Sequence, residues 1–451
     1  MGDAVSADLL GIGDRIVGWA RDGEQVEAVV VHSRDTQVRA YDGEIEQLSS
    51  AESSGVGIRV IRDHRQGFAY AGTFDVDVLE ETLADARDNA GFGTPDGDLG
   101  LAAPDGVPVA DLALWRDEAV SYPTEGKVDL ALELERAVRA ADPRIVGVEE
   151  ADFVDSLAET AVVTTTGVRS AGRETACYVM TYVMASEGED TQTGFGFSVG
   201  RQPGELDVAT AAADAAQRAT RMLGAKKPPS GRLTIVLDPW VTAQLLQIIG
   251  GTLSGDAVLK GRSPFADRVG ESVAAPGFTL IDDPTDVRAF AAAQTDGEGL
   301  ATRRNRLVEA GVLQGFVHDS YTGRRMGVAS TGSAVRGYKS TPRPGCISLA
   351  LAPGRGTQDE LVAGVADGVL VQEVSGLHSG VNPVSGDFST GADGLRIRDG
   401  RVAEPIREFT IASTLQRMLQ DLRAVGADLT WLPMGAAGLT VVIDDVTVSG
   451  G

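Results

Sequence analysis

The sequence predicts an α+β chain. Two mixed N-terminal units, residues 1–95 and 115–225, precede a larger β-rich, antiparallel, barrel-like C-terminal unit over residues 230–451. Three observations predict this. Helix-period and strand-period stretches come in runs (a helix, several strands, a helix) and do not alternate as a βαβ array. Beyond residue 265 many short apolar runs are separated by Gly turns such as Ala310-Gly311, Asp393-Gly394 and Asp399-Gly400, the pattern of a barrel or layered sheet. Segments 91–127 and 225–231 are rich in turn-forming residues and read as linkers.

Residues 8–21 have the apolar spacing of an amphipathic helix. Strands follow at 25–31 and 36–41, a hairpin turn at Asp42-Gly43, then strands at 45–50, 55–61 and 67–70. A helix at 76–89 closes the first unit. Gly55 and Gly57 have no helix behind them, so they read as backbone bends in a sheet and not as a phosphate loop. The second unit opens with a helix at 127–141, which places Leu130, Leu134 and Val138 on one face. Strands are expected at 145–152, 157–165, 170–184 and 191–199. Gly194 and Gly196 lie inside the period-two run Thr191, Thr193, Phe195, Phe197, which opposes a dinucleotide fingerprint. An Ala-rich helix at 207–223 stops at Gly224.

The third unit begins with a strand at 233–237 that runs into a helix at Asp238-Pro239, an N-cap followed by a first-turn proline. Val241, Leu245, Ile248 and Ile249 form its apolar face, and Gly250 and Gly251 end or distort it. Strands are expected at 278–282, 303–316, 347–352, 369–374, 395–397 and 439–448, with helices at 358–366 and 410–425.

The formal net charge is -25. It opposes direct nucleic-acid binding, which needs a basic surface, and opposes docking on anionic membranes. No charged-then-apolar leader and no bilayer-length apolar run is visible, so the cytoplasm is the expected location. Cys177 and Cys346, the only cysteines, form neither a CxxC nor a disulfide framework.

Three stretches of the third unit carry a further signal: VEAGVLQGFVHDSYTGRRMGVASTGSAVR, LALAPGRGTQDELVAGVADGVLVQEVSG and VNPVSGDFSTGADGLRIRDGRV. With YDGEIEQLSSAESSGVGIRVI near the N-terminus and LSGD after the central helix, they make the whole chain resemble the TldD/PmbA (TldD/TldE) protease family. The family also carries an older description as a modulator of DNA gyrase. Its metal-bearing TldD branch has HExxxH followed by G-L-x-G-D. On that register, Leu246 and Gly251 stand at the two histidine positions and Gln247 at the glutamate. The branch's cysteine ligand falls on Met434, or on Gly435 beside it. Leu and Gly offer a metal no lone pair, and Gln cannot take a proton from a metal-bound water. The resemblance is thus to the TldE/PmbA branch, which lacks the motif.

That resemblance implies a subunit with no catalytic residue, metal or cofactor of its own. Its expected partner is a TldD-like metalloprotease subunit bearing zinc, and the substrate a peptide or unfolded polypeptide cut in a shared cavity. Ser254, Asp256, Lys260, Arg262 and Ser263 are the candidate contacts to substrate or partner, the alternative being that they brace the fold. A stand-alone peptide-binding homodimer is the second reading. A third is a metal-free hydrolase assembled from His318-Asp319, or from His378 with Ser379, Ser385 and Asp387. None of the four histidines (His32, His64, His318, His378) shares a helical face with another. Residues 255–263 imitate a P-loop, but Lys260-Gly261 is in reversed order and no strand leads in.

Overall fold

The computed structural model describes residues 2–450, with side chains described from Asp8 onward. Helix α1 (Gly2–Gly18) precedes β1 (Gln25–Tyr41), β2 (Glu44–Arg62), β3 (Arg65–Ala71) and α2 (Val76–Phe92). After a long connection come α3 (Asp117–Ser121), α4 (Thr124–Ala141), β4 (Ile145–Thr164), β5 (Arg169–Glu187), β6 (Asp190–Gly200) and α5 (Val208–Thr220). The six strands form one antiparallel sheet in the order β3-β2-β1-β4-β5-β6. The two N-terminal runs therefore meet edge to edge through β1 and β4.

Three of these strands are longer than the sequence suggests. Breaks are expected at 32–35 and 51–54, which are mostly polar, and at 153–156, where Asp155 and Ser156 follow Phe153 and Val154. The chain stays extended there because its backbone groups have partners: Ser33 pairs with Ser53 on one side and Ala158 on the other. Helices α1, α2, α4 and α5 all lie on one face. Leu9, Ile12 and Ile16 of α1 pack on Val26, Ala28 and Val30, and α4 and α5 cover Val38, Phe153 and Val179. Gly194 and Gly196 exist for this packing, since a side chain at either would strike the backbone of α5.

The C-terminal unit opens with β7 (Gly231–Leu237), α6 (Pro239–Thr252) and α7 (Gly255–Leu259). A small layer follows: β8 (Leu280–Asp282), β9 (Asn305–Glu309), β10 (Val312–Leu313), α8 (Ser320–Met326), β11 (Ala334–Val335), β12 (Arg343–Pro344) and β13 (Leu349–Leu351). Then come α9 (Gln358–Ala363), β14 (Asp367–Ser375), α10 (Leu377–Gly380), β15 (Asp387–Arg398), β16 (Arg401–Thr414), α11 (Leu415–Gln420), β17 (Leu422–Val425) and β18 (Val441–Ser449). The order β16-β15-β14-β7-β18 closes on itself through Ile411 against Val448, a five-stranded barrel with β17 attached outside. Only β7 and β14 run parallel within it. The expected α+β class and the barrel-like C-terminal unit are thus present.

The helix expected at 410–425 is not. Thr410, Ile411 and Ala412 hydrogen-bond to β15 and β18 to close the barrel, so helix begins only at Leu415, capped by Thr414. The strand expected at 303–316 is a short hairpin of β9 and β10 that turns at Ala310-Gly311. The strand expected at 395–397 grows to the twelve residues of β15. Helix α6 passes through Gly250 and Gly251 and ends at Thr252. Among the described residues, no helix is long and apolar enough to cross a membrane.

Candidate functional site

The site is built on α6. Asp238 accepts a hydrogen bond from the Trp240 backbone N–H at 3.0 Å and fixes the start of the helix. The same carboxylate pairs with Arg218 of α5 at 2.8 Å and ties the junction to the N-terminal half. Val241, Leu245, Leu246 and Ile249 enter the C-terminal core. Leu246 is 1 % exposed, and faces Leu351, Leu415 and Ile443 in the apolar space beneath the helix. Gln247 and Gly251, one turn apart, lie on the exposed side, and nothing stands within 4 Å of a side chain built at Gly251. Residues five apart in an α-helix point about 140° away from each other. Leu246 and Gly251 accordingly do not converge on one point.

Gly250 faces the other way. A side chain there would collide with Leu349 and press on Cys346. Leu349 in turn donates its N–H to the Gly435 carbonyl at 3.0 Å, next to the half-buried Met434. The end of α6 and the 434–435 turn therefore flank one segment, 346–349, although they are far apart in sequence. Burial and the nearby Asp282 push the Cys346 thiol well above its ordinary range, so it stays protonated. Asp282 is itself pushed up to about 6 by burial, although the N–H groups of Ile347 and Ser348 donate to it. Among the described residues, no group of three or more His, Cys, Asp or Glu side chains is arranged to hold a metal ion.

The residues after α6 are mostly engaged within the chain. Ser254 caps α7 by accepting from the Ala257 N–H at 3.2 Å. Asp256 pairs with Lys260 at 2.9 Å on the surface. Ser263 accepts from the Phe265 N–H at 3.2 Å. Arg262 is exposed and its side chain has no partner among the described residues. Gly255 is fixed by His318, whose ring lies where a side chain would start. His318 is buried, and burial lowers its pKa so that the imidazole is neutral. Its Nδ1 lies 3.3 Å from Thr322 Oγ1, which donates to Asp319 at 2.7 Å. This is a structural knot under the loop. Ser385 donates to Asp387 at 2.6 Å, while no hydrogen bond joins His378 to Ser379 or Ser385.

With these positions fixed, the relatives can be compared. The chain matches the PmbA/TldA metallopeptidase domain 1 model over residues 26–90, the central-domain model over 117–223 and the C-terminal-domain model over 230–450. The chain belongs to the PmbA/TldD family. It is 27% identical to a metalloprotease of Methanothermobacter thermautotrophicus, covering 99% of both chains. It is 26% identical to the metalloprotease PmbA of Escherichia coli O157:H7, covering 89% of this chain and 87% of that one. TldE of Thermococcus kodakarensis shares the fold, with a TM-score of 0.88 and 24% identity over 98% of this chain and 99% of that chain. Membership in a metallopeptidase family gives the chain a peptidase-related role.

Sequence reasoning missed the charged residues of this PmbA/TldD-family chain that are deepest in the molecule. Glu27 of β1 holds Arg59 of β2 through two hydrogen bonds of 2.9 and 2.8 Å, and also pairs with Arg336. Glu298 approaches Arg59 at 3.6 Å. No local signal marks them: the alternation Val26, Ala28, Val30 puts Glu27 on the opposite face of β1, where a charged residue reads as solvent-facing.

Proposed function

We propose that this chain is the non-metal-binding subunit of a TldD/TldE-like heteromeric metallopeptidase in the cytoplasm. A TldD-like partner supplies the zinc site, and this chain forms part of the wall of the cavity in which peptides or unfolded polypeptides are cut. The observation that carries the reading is the fate of the motif positions on α6. Leu246 is core, Gln247 is a solvent-facing amide and Gly251 is bare helix. With Met434, they offer no imidazole, carboxylate or thiolate, and so do not fit a zinc ion. The exposed Arg262, in the segment after α7, suits contact with a partner or a peptide carboxylate.

The test uses the chain purified alone and after co-expression with a TldD-like protein from the same source. Zinc content and cleavage of an unstructured peptide are measured with and without a chelator. Chelator-sensitive cleavage only in the co-purified pair is the expected result. Stoichiometric zinc with chelator-sensitive cleavage by the lone chain would overturn the proposal. A lone homodimer that retains peptides uncut and captures no TldD-like chain would replace it with the stand-alone binding reading.

A further inference from the structure

The sheet face opposite the helices is only partly covered by the C-terminal unit. Three cross-strand rows run along it: Gly57, Val29, Val162, Ser170, then Gly55, Val31, Thr160, Gly172, then Ser53, Ser33, Ala158, Glu174. At the β2 end the first two rows are closed. The ring and carbonyl of Tyr338 lie directly on Gly55 and Gly57, so these glycines are landing sites for an aromatic residue and not the backbone bends expected from sequence. At the β5 end nothing lies within 4 Å of a side chain built at Gly172. Between the two ends is a cavity of about 370 Å³, roofed by residues 293–297 and 336–338. That volume falls in the range of small-ligand pockets, and its floor of Val29, Val31 and Val162 is apolar.

Glu174 stands in the wall of this cavity, two residues along β5 from the bare backbone of Gly172 and on the same face. It is half-buried, and among the described residues its carboxylate takes part in no hydrogen bond and no ion pair. Burial raises its pKa, and the charge of Arg201 opposes that rise. Arg201 is not its donor, because the guanidinium gives its terminal N–H groups to the backbone carbonyls of Thr175, Ala289 and Phe290. Thr160 lies diagonal to Glu174 on the neighbouring strand. It also lines the cavity half-buried, and its hydroxyl has no partner among the described residues. Diagonal neighbours are about 7–8 Å apart, close enough for one small donor group to bridge both side chains. The other charged groups of the lining are engaged. Arg336 is sealed against Glu27 and the Ser340 carbonyl, Asp296 accepts three backbone N–H groups, and Arg173 lies over the Trp115 ring. What the cavity wall lacks is therefore a donor, and burying a carboxylate without one is costly.

We propose that this cavity binds a primary ammonium group carried on a short aliphatic body. The ammonium pairs with Glu174 and donates to Thr160, while the apolar part lies over Gly172, Val31 and Val162. An ammonium is a compact charge with three N–H donors and no acceptor, which suits two acceptors at the edge of an apolar floor. The amino end of a peptide and a free alkylamine share this chemistry. The site lies wholly within this chain and does not depend on the subunit reading, so the lone chain is enough to test it.

The test is calorimetric titration of the lone chain with valyl-alanine amide, with its N-acetyl derivative and with isopentylamine. The free amine of the dipeptide is expected to bind about tenfold or more tighter than the acetylated form, the effect of losing a charged partner of the carboxylate. Glu174→Gln, which keeps the shape of the wall, should abolish that preference. Thr160→Val should weaken the amine by a smaller factor, about threefold. Gly172→Leu fills the space beside Glu174 and should weaken it about tenfold without lowering the melting temperature. Should Glu174→Gln fail to fold, the amine–acetyl comparison on the unaltered chain decides. Equal binding of the two dipeptides, no binding of either amine at millimolar concentration, or an undiminished preference in Glu174→Gln would overturn the proposal. Tighter binding of the dipeptide than of isopentylamine assigns the site to the amino end of a peptide. Isopentylamine binding as tightly or more tightly assigns it to a free alkylamine, and both results uphold the pairing with Glu174.

Discussion

The barrel and the six-stranded sheet bury their surfaces in opposite ways. The barrel and α6 share an apolar core of residues such as Ile235, Leu237, Leu246 and Phe409, so the position that the resemblance sets against a histidine of the metal-bearing branch is part of it. The sheet buries most of its apolar side chains on its helical face, with a smaller cluster around Val29 and Val162 on the other. On the other face it encloses Glu27, Arg59 and Arg336, three charged groups almost without solvent contact. Chemistry that a metalloprotease motif would place at the end of α6 is missing there, whereas three almost fully buried charged groups lie at the junction of sheet and C-terminal unit.

The strongest way to break this comparison is to remove the shared carboxylate. Glu27→Ala leaves two buried guanidinium groups without their counter-charge, and a loss of about 3–5 kcal/mol is expected from urea unfolding. An effect below about 1 kcal/mol would show that the pair is relieved by water or by Glu298 and is not a tightly closed ion cluster. In the barrel, Leu246→Ala should cost about 3 kcal/mol by leaving a cavity under α6. Combining Leu246→His with Gln247→Glu and Gly251→His should not restore stoichiometric zinc, because one histidine is aimed into the core. Metal analysis after dialysis checks this, and one zinc per chain would show that α6 can rearrange.

A subtler contrast is one of pH. Asp296 at the junction is raised to about 7 and Asp282 beside the barrel to about 6, both chiefly by burial. For an acid whose folded pKa is raised, the stabilising contribution is fully present below the unfolded value near pH 4. It is lost as pH rises, up to about 6 for Asp282 and about 7 for Asp296. Urea midpoints measured from pH 4.5 to 8 should therefore carry a declining component. Asp282→Asn should remove the part below pH 6, and Asp296→Asn the part that extends to pH 7. The smallest effect is expected at the surface: Lys260→Ala, breaking the exposed pair with Asp256, should change stability by no more than about 0.5 kcal/mol.

Much of the fold could be read from local pattern. The period-two runs of β5 and β6 and the capped start of α6 are properties of a few adjacent residues. The misreadings share one cause, which is that distant pairing overrules local preference. Residues 32–35 look like a loop but are held on both sides by β2 and β4, and residues 410–414 look helical but close a barrel against β18. At the site, replacement of the motif residues was visible from the letters alone. The divergence of Leu246 from Gly251 needed the helix. The Glu27–Arg59–Arg336 cluster was illegible, since Glu27 meets Arg59 and Arg336 from 32 and 309 residues away, and nothing local marks such a meeting.

Closure of the barrel also sets a clock. Strand β7 needs β18 beside it, and Arg232 pairs with Asp445 across 213 residues of sequence. At ordinary rates of translation, β7 leaves the ribosome roughly 10 to 40 s before its neighbour exists. During that interval Ile235 and Leu237 have no finished barrel to enter, and one edge of β7 is open to foreign strands. The six-stranded sheet, whose last strand ends at Gly200, is complete by then. Cellular yield of this chain should therefore be governed by what shields a single waiting strand, and a chain cut before β18 should aggregate through β7 while its N-terminal sheet stays folded.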